Sequence, residues 1–383
     1  MIGVGDPLFR DGVDGGVLLV VLGKAGVAFG VLLVAVLFMI WFERKVLADM
    51  QNRIGPDKAG RWGILQSLAD GIKLFFKEDL LPDRADRAVF RLAPYFSVVP
   101  AFIAFAVVPL GGTMRLAGHT TYMQLADPPI GILLLLAMSS VAVYGVMLAG
   151  WSSGSKYPLL GSVRASAQMV SYEAALGLSI AAVVLITGSL STNDIVRDQA
   201  AGILDWNVVR LGFLPFAVFL VAATAELNRP PFDLVEAEQE LVGGFHTEYS
   251  SIRFAMFFLA EFMNTITMSA IVVTLFLGGP VGWDLGIPGL SRVSVVWFTL
   301  KLLVFLFVYV WLRAALPRLR YDQLMDLGWK VLIPLSLGWL LVLGAMTIET
   351  RYGFAVFAGC AVLAPVLLRA VAIGRAASSE GVG

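Results

Sequence analysis

The stretch VLLVVLGKAGVAFGVLLVAVLFMIW, residues 17–41, decides the fold of this chain. It exceeds the roughly 20 apolar residues that a helix needs to cross the hydrocarbon core of a bilayer. Only Lys24 interrupts the apolar run, and the charged triplet Glu43, Arg44 and Lys45 follows it closely. The run is longer than the apolar part of a signal peptide, and the residues before it are mainly acidic rather than basic. We therefore interpret it as a retained first transmembrane helix.

Eight further apolar stretches follow the first one. The chain is 58% hydrophobic and only 15% charged, a composition that a single water-soluble core of 383 residues cannot bury. The sequence predicts an all-α integral membrane protein with about nine transmembrane helices in a single membrane domain, 1–383. The predicted later spans lie near 94–112, 129–150, 165–188, 211–227, 252–277, 294–315, 330–349 and 352–372.

Four loops between these spans carry most of the 28 lysine and arginine residues: 42–93, 151–164, 228–251 and 313–330. Because positive residues accumulate in cytoplasmic loops, we expect these loops in the cytoplasm, the N-terminus outside and the C-terminus inside. The first loop also contains apolar residues at helical spacing, with polar residues on the opposite face. This pattern predicts an amphipathic helix in the plane of the membrane surface, with an apolar face of Ile64, Leu65, Leu68, Ile72, Phe75 and Phe76.

The composition excludes several classes of redox protein. A single cysteine, Cys360, and two histidines cannot supply the four thiolates that an iron–sulfur cluster usually needs. His119 and His246 are predicted on opposite sides of the membrane, so they cannot ligate one haem as in a cytochrome b. The chain lacks a GxGxxG loop for a dinucleotide, and its net charge of zero gives no field for nucleic acid. We predict no metal site and no cofactor bound by this chain alone.

Ionisable residues within the predicted spans are the first candidates for function. Glu173, Glu226, Glu261 and Lys301 fall within or at the ends of apolar stretches, where a charged side chain costs several kcal/mol. Such groups can form a path for protons or ions. They can also form static ion pairs, for example between Lys301 and one of the glutamates, and the sequence leaves both interpretations open.

An acidic segment follows Glu226 on the side that positive residues otherwise dominate. Arg229 and the pair Pro230–Pro231 come directly after the predicted helix end. Clustered carboxylates raise one another's pKa and can then exchange protons near neutral pH. A solvated acidic face is the alternative interpretation. The acids are Asp233, Glu236, Glu238, Glu240 and Glu248.

All four positive loops resemble, in order, those of one membrane-protein family. This family is the quinone-site membrane subunit of proton-pumping NADH:quinone oxidoreductase, respiratory complex I, and the resemblance covers nearly the whole chain. The segments that carry the resemblance are ERKVLADMQNRIGPD (43–57) with QSLADGIKLFFKE (66–78), GWSSGSKYPLLG (150–161), AELNRPPFDL (225–234) and LPRLRYDQLM (316–325).

The resemblance implies an eight-helix core over 17–351 with an extra helix at 352–372. It implies that the subunit docks a hydrophilic arm, whose partner subunits hold FMN and iron–sulfur clusters, and forms much of the chamber for the quinone substrate. The positions that match the chamber are Arg44, Arg53, Asp70, Arg229, Phe232, Arg313, Arg318 and Asp322. The proton path is expected to include Glu173, Glu226, Asp233, Glu236, Glu238, Glu240, Glu248, Glu261 and Lys301. Val235 departs from the family pattern, in which a proline or small residue is common.

Two other functions compete with this interpretation. A homologous membrane subunit of a membrane-bound hydrogenase would have no quinone to bind, and the segments RIGP (53–56) and YDQL (321–324) favour the quinone enzyme. A secondary cation transporter would move ions without partner subunits and would contain helices broken near the middle of the membrane.

Overall fold

The computed structural model describes residues 6–9, 12–234, 241–282, 294–363 and 369. The regular secondary structure of this part of the chain is helical except for one small hairpin, so the all-α prediction is confirmed. The hairpin pairs β1 (Thr113–Leu116) with β2 (His119–Tyr122) in antiparallel register. The helices are α1 Gly15–Met50, α2 Gln66–Phe76, α3 Arg87–Phe105, α4 Gly131–Ser152, α5 Lys156–Thr187, α6 Thr192–Asp198, α7 Asn207–Arg210, α8 Phe213–Glu226, α9 Ser251–Phe276, α10 Ser294–Ala315, α11 Tyr321–Leu327, α12 Ile333–Ile348 and α13 Thr350–Leu363.

Seven helical stretches of the described chain are long and apolar enough to cross a membrane. They are α1, α3, α4, α5, α9, α10 and the continuous stretch Tyr321–Ile348, in which a π-helical turn at Gly328–Leu332 joins α11 to α12. The other two predicted spans correspond to the shorter helix α8 and to α13, and the part of the predicted span 352–372 beyond Leu363 lies almost entirely outside the described residues. The 14 residues of α8 extend about 21 Å, against a hydrocarbon core of roughly 30 Å. Seven helical stretches in the described part of the chain are therefore long enough to span a membrane, and the count of about nine stays a prediction.

Two helices continue well into the predicted loops. The first loop was predicted to begin at residue 42, but α1 runs on to Met50. Likewise, α5 begins at Lys156, inside the predicted loop 151–164. Hydropathy marks only the lipid-facing part of a helix, whereas residues such as Glu43 and Lys45 are good helix formers outside the hydrocarbon. The boundaries from the sequence therefore mark the ends of the apolar runs and not the ends of these two helices.

The helices enclose one large hydrophobic core, with three smaller clusters of buried residues beside it. Fully buried side chains from five different helices meet in it: Leu32, Tyr172, Phe219, Phe276 and Phe298. Glycine allows the closest approach between neighbouring helices. A Cβ atom on Gly145 of α4 would lie 2.2 Å from Ser97 Oγ of α3, too close for any other residue without a shift.

The four positive loops meet at one end of the helix bundle. Hydrogen bonds join the first loop to the third (Leu80 N to Ser250 Oγ, 2.9 Å), the first to the second (Asp86 N to Ser152 O, 3.0 Å) and the fourth to the third (Leu319 N to Pro231 O, 3.0 Å). We call this the loop end. Which side of the membrane it faces stays a prediction.

A buried polar cluster accounts for Lys24, the lysine inside the first apolar run. Lys24 Nζ lies 3.1 Å from Asp6 Oδ2 and 2.8 Å from Thr121 Oγ1 of β2, and Thr121 Oγ1 also donates to Asp6 at 2.6 Å. All three side chains are buried. The charge of Lys24 is therefore compensated within the protein and is not exposed to lipid.

Candidate functional site

An ion cluster built on the buried residues Glu43 and Arg229 lies where the charged end of α1 meets the segment after α8. Glu43 is only 4% exposed, and Arg229 Nη1 lies 3.2 Å from both of its carboxylate oxygens. Arg313 of α10 also pairs with Glu43. On its other side, Arg229 Nε lies 3.0 Å from Glu261 Oε1 of α9. The cluster therefore joins α1, α9, α10 and the segment after α8 through alternating charges.

Arg229 is the centre of this cluster. It is 5% exposed, and its Cζ lies 4.6 Å from the ring centroid of Phe262. Among the described residues, its Nη2 has no hydrogen-bond partner. A buried guanidinium is tolerated only when its charge is compensated, and two carboxylates compensate Arg229 here. Removal of either carboxylate would leave this charge under-compensated.

A second pair connects α1 to the amphipathic helix α2. Arg44 Nη1 lies 2.6 Å from Asp70 Oδ2, and Gln66 Nε2 lies 3.2 Å from Asp70 Oδ1. Partial burial is the largest single influence on Asp70 and by itself would raise its pKa, whereas the hydrogen bond and charge of Arg44 lower it. Together with Gln66 and Lys73, they hold the pKa of Asp70 below its ordinary value. Both Arg44 and Asp70 were predicted at the chamber, and the structure brings them into contact.

Two carboxylates face α4 deeper in the bundle. The hydroxyl of Ser139 donates to Glu226 at the end of α8, and the hydroxyl of Ser140 donates to Glu173 of α5. Glu226 is buried, and its second oxygen has no hydrogen-bond partner among the described residues. Two adjacent serines of one helix therefore bind two of the predicted proton-path acids.

A cavity of about 60 Å³ borders both the ion cluster and one of the two acids that face α4. Its wall includes Glu226 and Glu261, together with the polar side chains of Asn228, His246 and Asn264. The rest of the wall is mainly apolar, and a cavity of this size has room for several water molecules beside its polar groups. Glu261 thus contacts the ion cluster through Arg229 and also faces the cavity that Glu226 lines.

The remaining predicted residues lie around the loop end. Arg53 and Asp322 are exposed, whereas Arg318 is half-buried, and its Nε and Nη2 have no hydrogen-bond partner among the described residues. Phe232 is buried against Tyr172, with ring centroids 5.4 Å apart. Asp233 and Glu248 are half-buried. Three predicted acids, Glu236, Glu238 and Glu240, and the neighbouring Val235 lie outside the described residues.

Lys301 does not join the other ionisable residues. Its Nζ donates to three backbone carbonyls after the end of α9 and lies 4.5 Å from the ring centroid of Trp206. The first of these carbonyls, at Leu277, is about 24 Å along the helix axis from Glu261. The three carbonyls are those of Leu277, Gly279 and Val281. The ion pair considered between Lys301 and Glu173 or Glu261 is therefore not formed.

Sequence reasoning missed several residues of this site. Glu43 was noted only as part of a charged helix end, and His246 only as a residue that cannot help to bind haem. Ser139 and Ser140 were passed over. Their signal was present, since adjacent serines in an otherwise apolar span each need a hydrogen-bond partner.

Comparisons with known proteins bear directly on this arrangement. The profile of the NADH dehydrogenase family matches residues 24–344. Two relatives, each named as the H subunit of NADH-quinone oxidoreductase, come from Frankia casuarinae and Frankia alni. Each is 54% identical, and the matches cover 87% and 86% of this chain and 74% and 73% of the relatives. A third relative of that name, from Streptomyces avermitilis, is 50% identical over 91% of this chain and 79% of its own. These matches confirm the resemblance of the four loops, and the chain belongs to the family of the H subunit of NADH-quinone oxidoreductase, the multi-subunit membrane enzyme known as complex I.

Proposed function

We propose that this subunit forms a quinone-access chamber with the hydrophilic arm and couples quinone reduction to proton translocation through its buried carboxylates. The observation that carries the proposal is that Glu261 contacts Arg229 and also lines the same cavity as Glu226. One carboxylate can thereby respond to a charge change at the loop end and transmit it into the helix bundle.

The chamber part of the proposal rests on the charges at the loop end. Arg44 and Asp70 connect α1 to α2, while Arg229 and Arg313 surround Glu43. A quinone head group gains negative charge when electrons reach it from the partner subunits, and it then takes up protons. Guanidinium groups stabilise such developing charge at a fixed position. We place the chamber of this chain along these residues, with Arg53, Phe232, Arg318 and Asp322.

The coupling part rests on competition for Arg229. When charge develops in the chamber, the arginines that hold Glu43 and Glu261 are drawn toward it. Glu261 then loses part of its compensation and accepts a proton from the cavity. Glu226 and Glu173, held by the serines of α4, pass the change toward the partner subunits. In this scheme Asp233, Glu236, Glu238, Glu240 and Glu248 supply protons from the loop end, and Lys301 lies farther along the path.

The proposal also includes location and partners. We place the subunit in the bacterial cell membrane, with the loop end and the C-terminus in the cytoplasm and the N-terminus outside. Its partners are the other membrane and hydrophilic subunits of the complex, which hold FMN and the iron–sulfur clusters. The family match and the names of the relatives favour this function over a membrane-bound hydrogenase subunit or a secondary cation transporter.

Membrane vesicles that contain the variants Glu226→Gln and Glu261→Gln test the proposal. We expect the rate of NADH:quinone reduction and the rate of proton pumping to fall together, because a neutral amide cannot carry the proton. Glu349→Gln is the matched control, since Glu349 is exposed after the end of α12. Wild-type rates of both activities in both variants would contradict the proposal. Glu236→Gln and Glu238→Gln test the acidic segment in the same way.

A further inference from the structure

A large apolar surface remains uncovered on α2. One side of this helix is docked against the bundle through Ser67, Asp70 and Leu74, which are buried or half-buried. The other side exposes a continuous apolar sector, in which Phe75 is 70% and Phe76 is 88% exposed. We call residues 61–77, the helix with the turn before it, the α2 platform.

The α2 platform lies level with the end of the membrane-crossing part of α1. The indole nitrogen of Trp41, the last residue of the apolar run 17–41, donates to the backbone oxygen of Trp62 at 2.9 Å. One turn further along α1, Arg44 binds Asp70 of α2. Tryptophan is enriched at the boundary between hydrocarbon and head groups. The platform is therefore held at the level of the lipid head groups.

The charge along the edge of the platform is positive. Lys73 and Lys77 are exposed and, at the helical period, fall between the apolar sector and the docked side. Arg61 is exposed too, and its Cζ lies 5.0 Å from the ring centroid of Trp62. Asp70 lies 3.8 Å from Lys73, but Arg44 already compensates its charge at 2.6 Å.

The acids at the far end of the platform do not cancel this charge. Asp79 is paired with Arg253 at 2.8 Å. Glu78 is exposed and follows Lys77, beyond the apolar sector. Lys73 and Lys77 therefore keep an excess of positive charge beside the exposed rings of Phe75 and Phe76.

We propose that the α2 platform is a binding site for an anionic phospholipid of the leaflet at the loop end. The acyl chains cover Ile72, Phe75 and Phe76, and Lys73 and Lys77 hold the phosphate. An anionic lipid combines an apolar body with a negative head group, which matches the two neighbouring surfaces of the platform at this level. This proposal does not depend on the quinone chemistry proposed above, because it is tested by lipid binding and not by enzyme activity.

The experiment uses the intact purified complex, depleted of lipid in a mild detergent. Phosphatidylglycerol and phosphatidylcholine with a photoactivatable acyl chain are titrated, and labelling of peptides from residues 61–77 is measured after chymotryptic digestion. We expect half-maximal labelling at a lower concentration of phosphatidylglycerol than of phosphatidylcholine. In the double variant Lys73→Gln/Lys77→Gln, the phosphatidylglycerol concentration for half-maximal labelling should rise roughly 10- to 30-fold, since each lysine near an anionic surface contributes about fivefold or slightly less.

Two further variants complete the design. Lys73→Arg/Lys77→Arg keeps the charge and should label as the wild type does. Arg115→Gln, an exposed site on β1 away from the platform, should have no effect. Unchanged phosphatidylglycerol labelling in the glutamine variant would overturn the proposal. Equal labelling by the two lipids, or no labelling because a partner subunit covers the platform, would overturn it as well. Quinone reductase activity plays no part in the readout, so a failure here is distinct from a failure of the proposed function.

Discussion

Arg229 Nη1 lies 3.2 Å from both carboxylate oxygens of Glu43, although the two residues are 186 positions apart in the chain. The same guanidinium reaches Glu261 through Nε at 3.0 Å. One planar group thus holds two carboxylates from two helices at a fixed angle. A lysine ammonium is a compact point charge and cannot reproduce this geometry.

Arg229→Lys therefore keeps the charge but loses one of the two carboxylate contacts. We expect NADH:quinone reductase activity to fall to roughly a tenth of wild type or less, because small displacements of positioned groups carry large penalties in rate. The measurement is the rate in membrane vesicles, normalised to the amount of assembled complex. Arg87→Lys, an exposed site at the start of α3, is the control. Full activity of Arg229→Lys would show that one contact is sufficient.

Much of the fold follows from the sequence because hydropathy reports directly on contact with lipid. The apolar runs located seven full-length spans, and the four charged loops proved to share one end of the bundle. The ends of α1 and α5 were not predictable in this way, since helical backbone outside the hydrocarbon has no hydropathy signature. The length of α8 was overestimated because apolar residues on either side of a short helix extend the hydrophobic run.

The candidate site was predictable only in part, for a different reason. Charged residues stand out in apolar sequence, so Glu173, Glu226 and Glu261 were identified as candidates, whereas Arg44 and Asp70 became candidates only through the resemblance to the family. Their pairing depends on contacts between distant segments, which the order of residues does not encode locally. Lys301 illustrates this limit, since its partners are backbone carbonyls and not the buried glutamates that the sequence suggested.

The serines of α4 give a prediction about the buried acids. Ser139→Ala removes the hydroxyl that donates to Glu226, and a buried polar group without a partner costs about 1–3 kcal/mol. We expect slower proton pumping and a lower thermal-inactivation temperature of the complex. Ser166→Ala is the matched control, because the Ser166 hydroxyl donates only to a carbonyl of its own helix, at 2.8 Å. Equal effects in the two variants would remove the contact with Glu226 from the explanation.

The close approach of α3 and α4 gives a prediction about stability. Gly145→Ala would place a methyl group 2.2 Å from Ser97 Oγ and 2.9 Å from its backbone nitrogen, so one helix must move. We expect a cost of about 1–3 kcal/mol, seen as a lower yield of assembled complex and a lower inactivation temperature. Gly177→Ala in α5 meets no atom within 4 Å and should be neutral or stabilising. A destabilised Gly177→Ala with an unaffected Gly145→Ala would contradict the packing described.

The lowered pKa of Asp70 determines how the docking of α2 should depend on pH. A carboxyl group whose pKa is depressed in the folded state stabilises the fold above its ordinary pKa, and this contribution is lost as pH falls through the folded value. Asp70 therefore stays ionised across roughly pH 5.5 to 8, and the protection of α2 amides from hydrogen exchange should be constant over that range. Because Arg44 and Asp70 are both partly exposed, their pair contributes at most about 1 kcal/mol.

Asp70→Asn removes that contribution at every pH in the range. In the intact complex, we expect amides of Gln66–Phe76 to exchange up to about fivefold faster, which corresponds to about 1 kcal/mol. Asp57→Asn, an exposed site in the same loop, serves as the control and should exchange as the wild type does. Unaltered protection of α2 in Asp70→Asn would mean that the contacts of Ser251 with Leu74 and Lys77 carbonyls, at 3.0 and 2.8 Å, hold the helix by themselves.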